Sequence, residues 1–187
     1  MQGLIDSDLV AAVDRVRTEA GYLNLRDLLA LAERGNIVFD PFSTLISQHA
    51  TIGANNRFYP NTLIECPGTA LCSIGDGNQF FANTRLDADR GPITIGNHGR
   101  YRGHVSIFGN AKLGDGCQVL GMITVRDCTL LGGQSYSHAV ADERGAVLKG
   151  YGDANNIDLG PGEVIRGNGT FLMADKKKQS WYHPTEV

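Results

Sequence analysis

The chain has 187 residues, 42% of them hydrophobic, and its 17 Lys and Arg against 20 Asp and Glu leave a formal charge of −3. That is enough chain for one domain with its own core. No run reaches the roughly eighteen consecutive apolar residues of a membrane span, and the N-terminus lacks a basic-then-apolar leader pattern, so no membrane partner and a cytoplasmic location are expected.

From the N-terminus, Leu9, Val10, Val13 and Val16 fall at helical spacing, with Asp6 or Ser7 as N-cap. A second helix is expected from Leu25 to Arg34, capped by Asn24, presenting Leu28, Leu29, Leu31 and Ala32 on one face and stopped by Gly35-Asn36. Residues 1–39 are thereby predicted to form a helical cap, since the open end of a stacked fold exposes backbone and core.

Asp40-Pro41 then turns the chain into a six-residue beat, first at Ile46, Ile52, Phe58 and Ile64. Extra residues around Cys66 to Leu71 re-phase it to Ile74, Phe80 and Leu86, and a second insertion within Asp87 to Pro92 re-phases it to Ile95. From there it runs through Tyr101, Ile107, Leu113, Val119, Val125 and Leu131. From Ile95 to Leu131 the residues two places before each anchor (Ile93, Gly99, Val105, Ala111, Cys117, Ile123 and Thr129) are small or β-branched, which is strand spacing rather than helical spacing. Gly96, Gly114 and Gly132 follow inward residues eighteen apart, so three hexads make one coil. The pattern predicts an all-β solenoid, a parallel β-helix over residues 40–173, rather than a β-sandwich, whose strands vary in length and spacing.

After Leu131 the beat is lost until Leu159, Ile165 and Phe171. The segment from Gly133 to Asn156, with Tyr136, His138, Asp142, Glu143, Arg144 and Lys149, is predicted to project as an arm that either grips a neighbouring subunit or covers a substrate. Residues 174–187 form a tail carrying Lys176, Lys177, Lys178, Trp181 and Tyr182, too few cations to indicate nucleic acid. Cys72 and Cys117 fall on inward positions and Cys66 and Cys128 have no metal-site spacing, so all four read as reduced packing residues and no metal is expected.

The residue best suited to chemistry is His104, one place before inward Val105 and therefore facing outward, where an imidazole can take a proton from a hydroxyl or amine. His98 holds the equivalent place one hexad earlier and is the second candidate base; His49 shares that position, which marks it simply as outward. Arg85, Arg90, Arg100, Arg102 and Arg126 gather in the same third of an acidic chain, and guanidinium groups suit phosphates. Arg102 and Arg126 are assigned to a cofactor, and Arg85, Gln118 and His138 to a substrate. No Cys-His or Ser-His-Asp set is apparent, so no covalent enzyme intermediate is expected.

The hexad repeat resembles the hexapeptide-repeat acyltransferase superfamily. That resemblance implies a left-handed parallel β-helix, a homotrimer with sites in the grooves between subunits, and acetyl-CoA or another acyl-CoA as co-substrate. The segment from Gly103 to Gly114 (GHVSIFGNAKLG) is similar to the region around the catalytic histidine in the acetyltransferase domain of bacterial N-acetylglucosamine-1-phosphate uridyltransferases, which implies that His104 is the general base. That family has a tyrosine where this chain has Ile107 and an asparagine where it has Gln118. The implied function is acyl transfer from acyl-CoA to an amine or hydroxyl of a sugar or other small metabolite. Two alternatives remain open: a non-catalytic sugar-nucleotide-binding or scaffold β-helix, and a γ-carbonic-anhydrase-like metal enzyme recruiting His98, His104 and His138, whose spacing does not match that family.

Overall fold

A computed structural model describes residues 7–183 except Thr69. The chain winds into a left-handed parallel β-helix of about 6 turns behind an N-terminal helical segment. Three flat faces form a prism. The first stacks Ile37–Val38, Arg57–Phe58, Gln79–Phe80 and Arg100–Arg102, and the second stacks Leu45–Ile46, Leu63–Glu65, Arg85–Asp87 and Ser106–Phe108. The third is a separate 6-stranded sheet from Thr51–Ile52 to Asp158–Leu159. The first two merge because the strands Gln118–Arg126, Val147–Asn155 and Glu163–Thr170 continue past the edge between them.

The hexad anchors fill the prism. Ile46, Ile52, Phe58, Ile64, Ile74, Phe80, Leu86, Ile95, Tyr101, Ile107, Leu113, Val119 and Val125 are all buried. Phe58, Phe80 and Tyr101 stack in register with centroids 5.3 and 5.0 Å apart. Leu131 breaks the expectation: it is exposed while Leu130 is buried and pairs with Leu113. The edge before Cys128 holds Asp127 alone where the preceding coil holds Gly109 and Asn110, so the frame advances by one residue.

The glycines of the third-to-first edge answer to crowding. A Cβ on Gly53 would lie 2.6 Å from the Gly75 carbonyl oxygen, and one on Gly75 2.8 Å from that of Gly96. Inside the same edge Asn36, Asn56 and Asn78 form a buried ladder: each side-chain oxygen accepts a backbone N–H one coil on, at Asn56, Asn78 and Gly99 (2.9, 2.8 and 2.7 Å). The ladder pairs polar groups that burial would otherwise leave costly.

Of the helices, α1 spans Ser7–Glu19 and α2 spans Leu25–Ala30. The expected caps of α1, Asp6 and the Ser7 side chain, lie outside the described residues. Asn24 caps α2 by accepting from the Asp27 N–H at 2.9 Å, and Gly35 ends the following turn at φ 74°. Leu25, Leu28 and Leu31 are buried, whereas Leu29 faces solvent, so the buried stripe runs at i, i+3, i+6 rather than along the expected Leu28–Leu29 face. Leu9 and Val16 of α1 are also exposed. What fixes α1 is Arg17, whose guanidinium donates to the carbonyls of Leu23, Pro41 and Thr44 at 2.8, 3.0 and 2.6 Å.

Coil pairing begins at Ile37, three residues before the expected start, because Ile37–Val38 pairs with Arg57–Phe58. The predicted arm is shorter than 133–156: Val147–Asn155 is a strand within the coil, paired on both sides, and only residues 132–146 leave the repeat. The tail does not hang free either, since Lys177–Lys178 pairs antiparallel with Glu163–Val164.

Candidate functional site

The edge between the first and second faces turns through Gly103 and His104, at φ 100° and 67°. The matching residues of the two preceding coils, Asn83 and Asn61, take φ 63° and 60°. Asparagine tolerates this left-handed region better than most residues, and so does histidine to a lesser degree. The three side chains form an outer ladder: Asn61 Nδ2 donates to Asn83 Oδ1, and Asn83 Nδ2 meets His104 Nε2, both at 3.1 Å. Because Asn83 spends its oxygen on Asn61, its nitrogen is the donor, so His104 Nε2 accepts and the neutral ring carries its proton on Nδ1. His104 is exposed, as expected from its place beside buried Val105. By strand register its neighbours in the next two coils are Met122 and Tyr151, both solvent-facing at 64% and 55% exposure.

His98 sits at a different edge, between the third and first faces, at φ 57° in the column of Asn55, Gly77 and Gly116. It and His104 lie at opposite ends of the Arg100–Arg102 strand. Placed at two different edges of the prism, the two histidines serve different surfaces. His98 makes no side-chain hydrogen bond among the described residues, so nothing holds its ring as Asn83 holds that of His104.

The other expected site residues are dispersed. Arg102 leaves the first face with its guanidinium 5.5 Å from the Phe81 ring centroid, close in sequence to His104. Arg126 lies on the second face, stacked on Phe108 at 4.4 Å, with Arg85 within 5.5 Å of the same ring. Arg85 is already paired: Glu65 Oε2 and Asp87 Oδ2 each accept from its Nη2 at 2.6 Å, and Tyr22 donates to Glu65 at 3.2 Å. Burial works against its charge, but the Asp87 and Glu65 carboxylates outweigh that and raise its pKa. With two carboxylates on one guanidinium, this cluster is anionic and ill-suited to a phosphate. His138 is bound within the excursion, Nε2 to Glu143 Oε2 at 2.8 Å, while its carbonyl accepts from Arg144 Nε at 2.7 Å.

Gln118 leads to a recessed site. It lies on the floor of a cleft of about 310 Å³ where the excursion 132–146 and the tail fold over the last coils of the first face. Leu120, Val147 and Val164 give the floor its apolar part, and Tyr136 and Tyr182 wall it. Tyr136 is held by the Arg100 guanidinium at 4.4 Å. The cover is locked to itself: Asp142 accepts from the Ser180 N–H and hydroxyl, both at 2.8 Å, and Gln179 Nε2 donates to the Gly145 carbonyl at 2.8 Å. Those two bonds from Ser180 hold the Asp142 carboxyl below the usual carboxylate range.

Arg100, Arg144, Lys149 and Arg166 project into this cleft, and among the described residues no Asp or Glu lines it. The sequence marks Arg100 as suited to phosphate and places Arg144 and Lys149 in the predicted arm, but it does not join them into one site or single out Arg166. Arg166 follows anchor Ile165 and was open to discovery as an outward position, but Lys149 was assigned to the arm, and only the fold brings Arg144 to Arg100. The cleft is close to the His104 edge: Leu120 is two residues along and one coil up from His104's position, about 8 Å by ordinary strand spacings.

The cysteines carry no reactive signal. All four are buried thiols, and burial pushes Cys72 and Cys117 up to about 12. Among the described residues no three His, Cys, Asp or Glu side chains gather as a metal-binding group. His98, His104 and His138 occupy two edges and the excursion, so one chain does not bring them together. No protein-family model matches the chain, and no curated protein matches it.

Proposed function

We propose that the chain is an acyl-CoA-dependent acyltransferase of the hexapeptide-repeat type, with His104 as general base and an amine or hydroxyl of a small metabolite as acceptor. The observation that carries this reading is the setting of His104: an exposed imidazole at a prism edge, oriented through Nε2 by Asn83. In the resting state Nε2 accepts from the Asn83 amide. An acceptor O–H or N–H takes the amide's place as donor to Nε2, and as the acceptor oxygen or nitrogen bonds to the thioester carbonyl carbon its proton passes to that nitrogen. Collapse of the tetrahedral intermediate breaks the carbon–sulfur bond, and the imidazolium returns the proton to the departing coenzyme thiolate. No covalent enzyme intermediate is needed. Assembly as a trimer belongs to the same reading, with Met122 and Tyr151 on the exposed edge available to a neighbouring subunit or to the acyl donor.

The test is release of free thiol from acetyl-CoA across a panel of small amines and hydroxyl compounds. His104→Ala is expected to lower turnover by about 100-fold or more while the protein stays folded, the usual worth of a positioned general base. Asn83→Ala, which leaves the ring unoriented, is expected to cost less than His104→Ala. Turnover equal in wild type and His104→Ala, or none with any acceptor, contradicts the assignment.

A further inference from the structure

We propose that the cleft beneath residues 132–146 and the tail binds a phosphate-bearing small molecule, with Arg100, Arg144, Lys149 and Arg166 as phosphate contacts and Gln118 reading a polar group of the ligand body. Four cations surround about 310 Å³, and among the described residues no carboxylate lines the cleft and none of the four forms an ion pair. Elsewhere on the wall the chain does pair a half-exposed guanidinium, as Arg85 with Glu65 and Asp87 shows. Like charges held around a small cleft repel one another, and an anion among them relieves that repulsion.

Two further observations point to an occupant. Gln118 is only 7% exposed and lines the cleft, yet its amide has no hydrogen-bond partner among the described residues. Arg100 Nε is buried and likewise unpartnered. Buried polar groups are normally paired, so the unpaired Gln118 amide on the cleft floor marks a polar subsite that a ligand fills.

The chemistry selects a phosphate ester. A carboxylate brings a single negative charge, whereas a phosphate monoester brings about two and three acceptor oxygens that match guanidinium forks. The apolar floor and Tyr136 suit an organic body. The volume lies at the small end of the roughly 300–1,000 Å³ typical of ligand pockets, which admits a phosphorylated sugar or a nucleoside phosphate rather than a polymer. This site stands independently of the acyl-transfer reading, since it requires binding only. The same phosphate chemistry has two natural sources beside the His104 edge: the phosphoadenosine head of a coenzyme, and a phosphate on an acceptor.

Calorimetric titration of the whole chain with a hexose 1-phosphate and with adenosine 3′,5′-bisphosphate separates them, with the unphosphorylated hexose and adenosine as controls. Binding of either phosphate ester is expected, weakened about tenfold or more by Arg166→Glu and by Lys149→Glu, and unchanged by Arg57→Glu, which lies on the same face outside the cleft. Preference for the bisphosphate assigns the cleft to a coenzyme head, and preference for the sugar phosphate to the acceptor. Thermal melts verify that the variants fold. No binding of either ester at about 10 mM, where even a millimolar site is occupied, overturns the proposal, as does equal binding by wild type and both charge-reversed variants. Binding of phosphate esters by a chain that never consumes acetyl-CoA sinks the acyl-transfer reading alone.

Discussion

On the first face, the coils before Arg100 and the coils after it put opposite chemistry on the same outward position. Before it, Tyr59 stacks on Phe81 at 4.7 Å and Phe39 packs tilted against Tyr59 at 4.5 Å, and the matching inward column of Phe58, Phe80 and Tyr101 is stacked throughout. After it, the outward column reads Arg102, Leu120, Lys149 and Arg166. Aromatic rings in register satisfy each other, so that half of the wall needs nothing further. Cations in register cannot. That half is where the chain leaves its repeat, folds an excursion and a tail over the surface, and leaves polar groups open to a cleft.

The two halves also differ at the edge. The early coils turn through left-handed Asn61, Asn83 and His104, whereas the later strands continue through a glycine column of Gly121, Gly150 and Gly167 in direct register. A Cβ on Gly121, at φ 137°, would overlap the Gly150 carbonyl oxygen. Gly121→Ala is therefore expected to be the most damaging single change, costing about 4 kcal/mol or preventing folding, as read by urea unfolding. Stability within about 1 kcal/mol of wild type would mean that this edge is not closed as described.

The aromatic half gives a sharper contrast. Phe80→Ala removes the middle ring of the buried stack and is expected to cost about 3–5 kcal/mol, while Phe81→Ala, next in sequence but outward and part-buried, costs about 1 kcal/mol or less. Equal costs would deny the inward–outward alternation on which the register rests.

The smallest expected effect concerns the cover of the cleft. Ser180 depresses the Asp142 pKa, so docking of the tail contributes stability that is complete above the ordinary carboxylate pKa and is lost as pH falls through the lowered one. Amide exchange in the segment around Gln179 and Ser180, taken relative to the intrinsic exchange rate at each pH, is expected to stay slow at neutral pH and to speed up only in acid, below the ordinary carboxylate pKa. Asp142→Asn should make it fast throughout. Exchange in Asp142→Asn as slow as in wild type would show that other contacts hold the tail.

Much of the wall was legible in the residues because each inward position must be filled by an aliphatic or aromatic side chain at fixed spacing, as from Ile46 to Val125. The frame failed at Leu131 for want of one edge residue, a deletion that shifts the register without changing composition. The strand Val147–Asn155 was hidden because Gly150 and Gly152, at φ 123° and 117°, carry the chain around the edge with its pairing unbroken, in place of the expected turn residues. Outwardness of His98 and His104 was equally clear for both. What distinguishes them, the Asn83 contact, joins residues 21 apart in the chain. The cleft was the least visible feature, since Arg144 and Tyr136 reach it only because the excursion folds back onto Arg100.

The most direct test of the functional account is native mass spectrometry of the purified chain with and without acetyl-CoA, which reads assembly and ligand in one spectrum. The account predicts a trimer that takes up one coenzyme per chain, equally in wild type and in His104→Ala, because the imidazole acts on the proton and not on donor binding. A chain whose spectrum is indifferent to acetyl-CoA, or that does not assemble as a trimer, would contradict it.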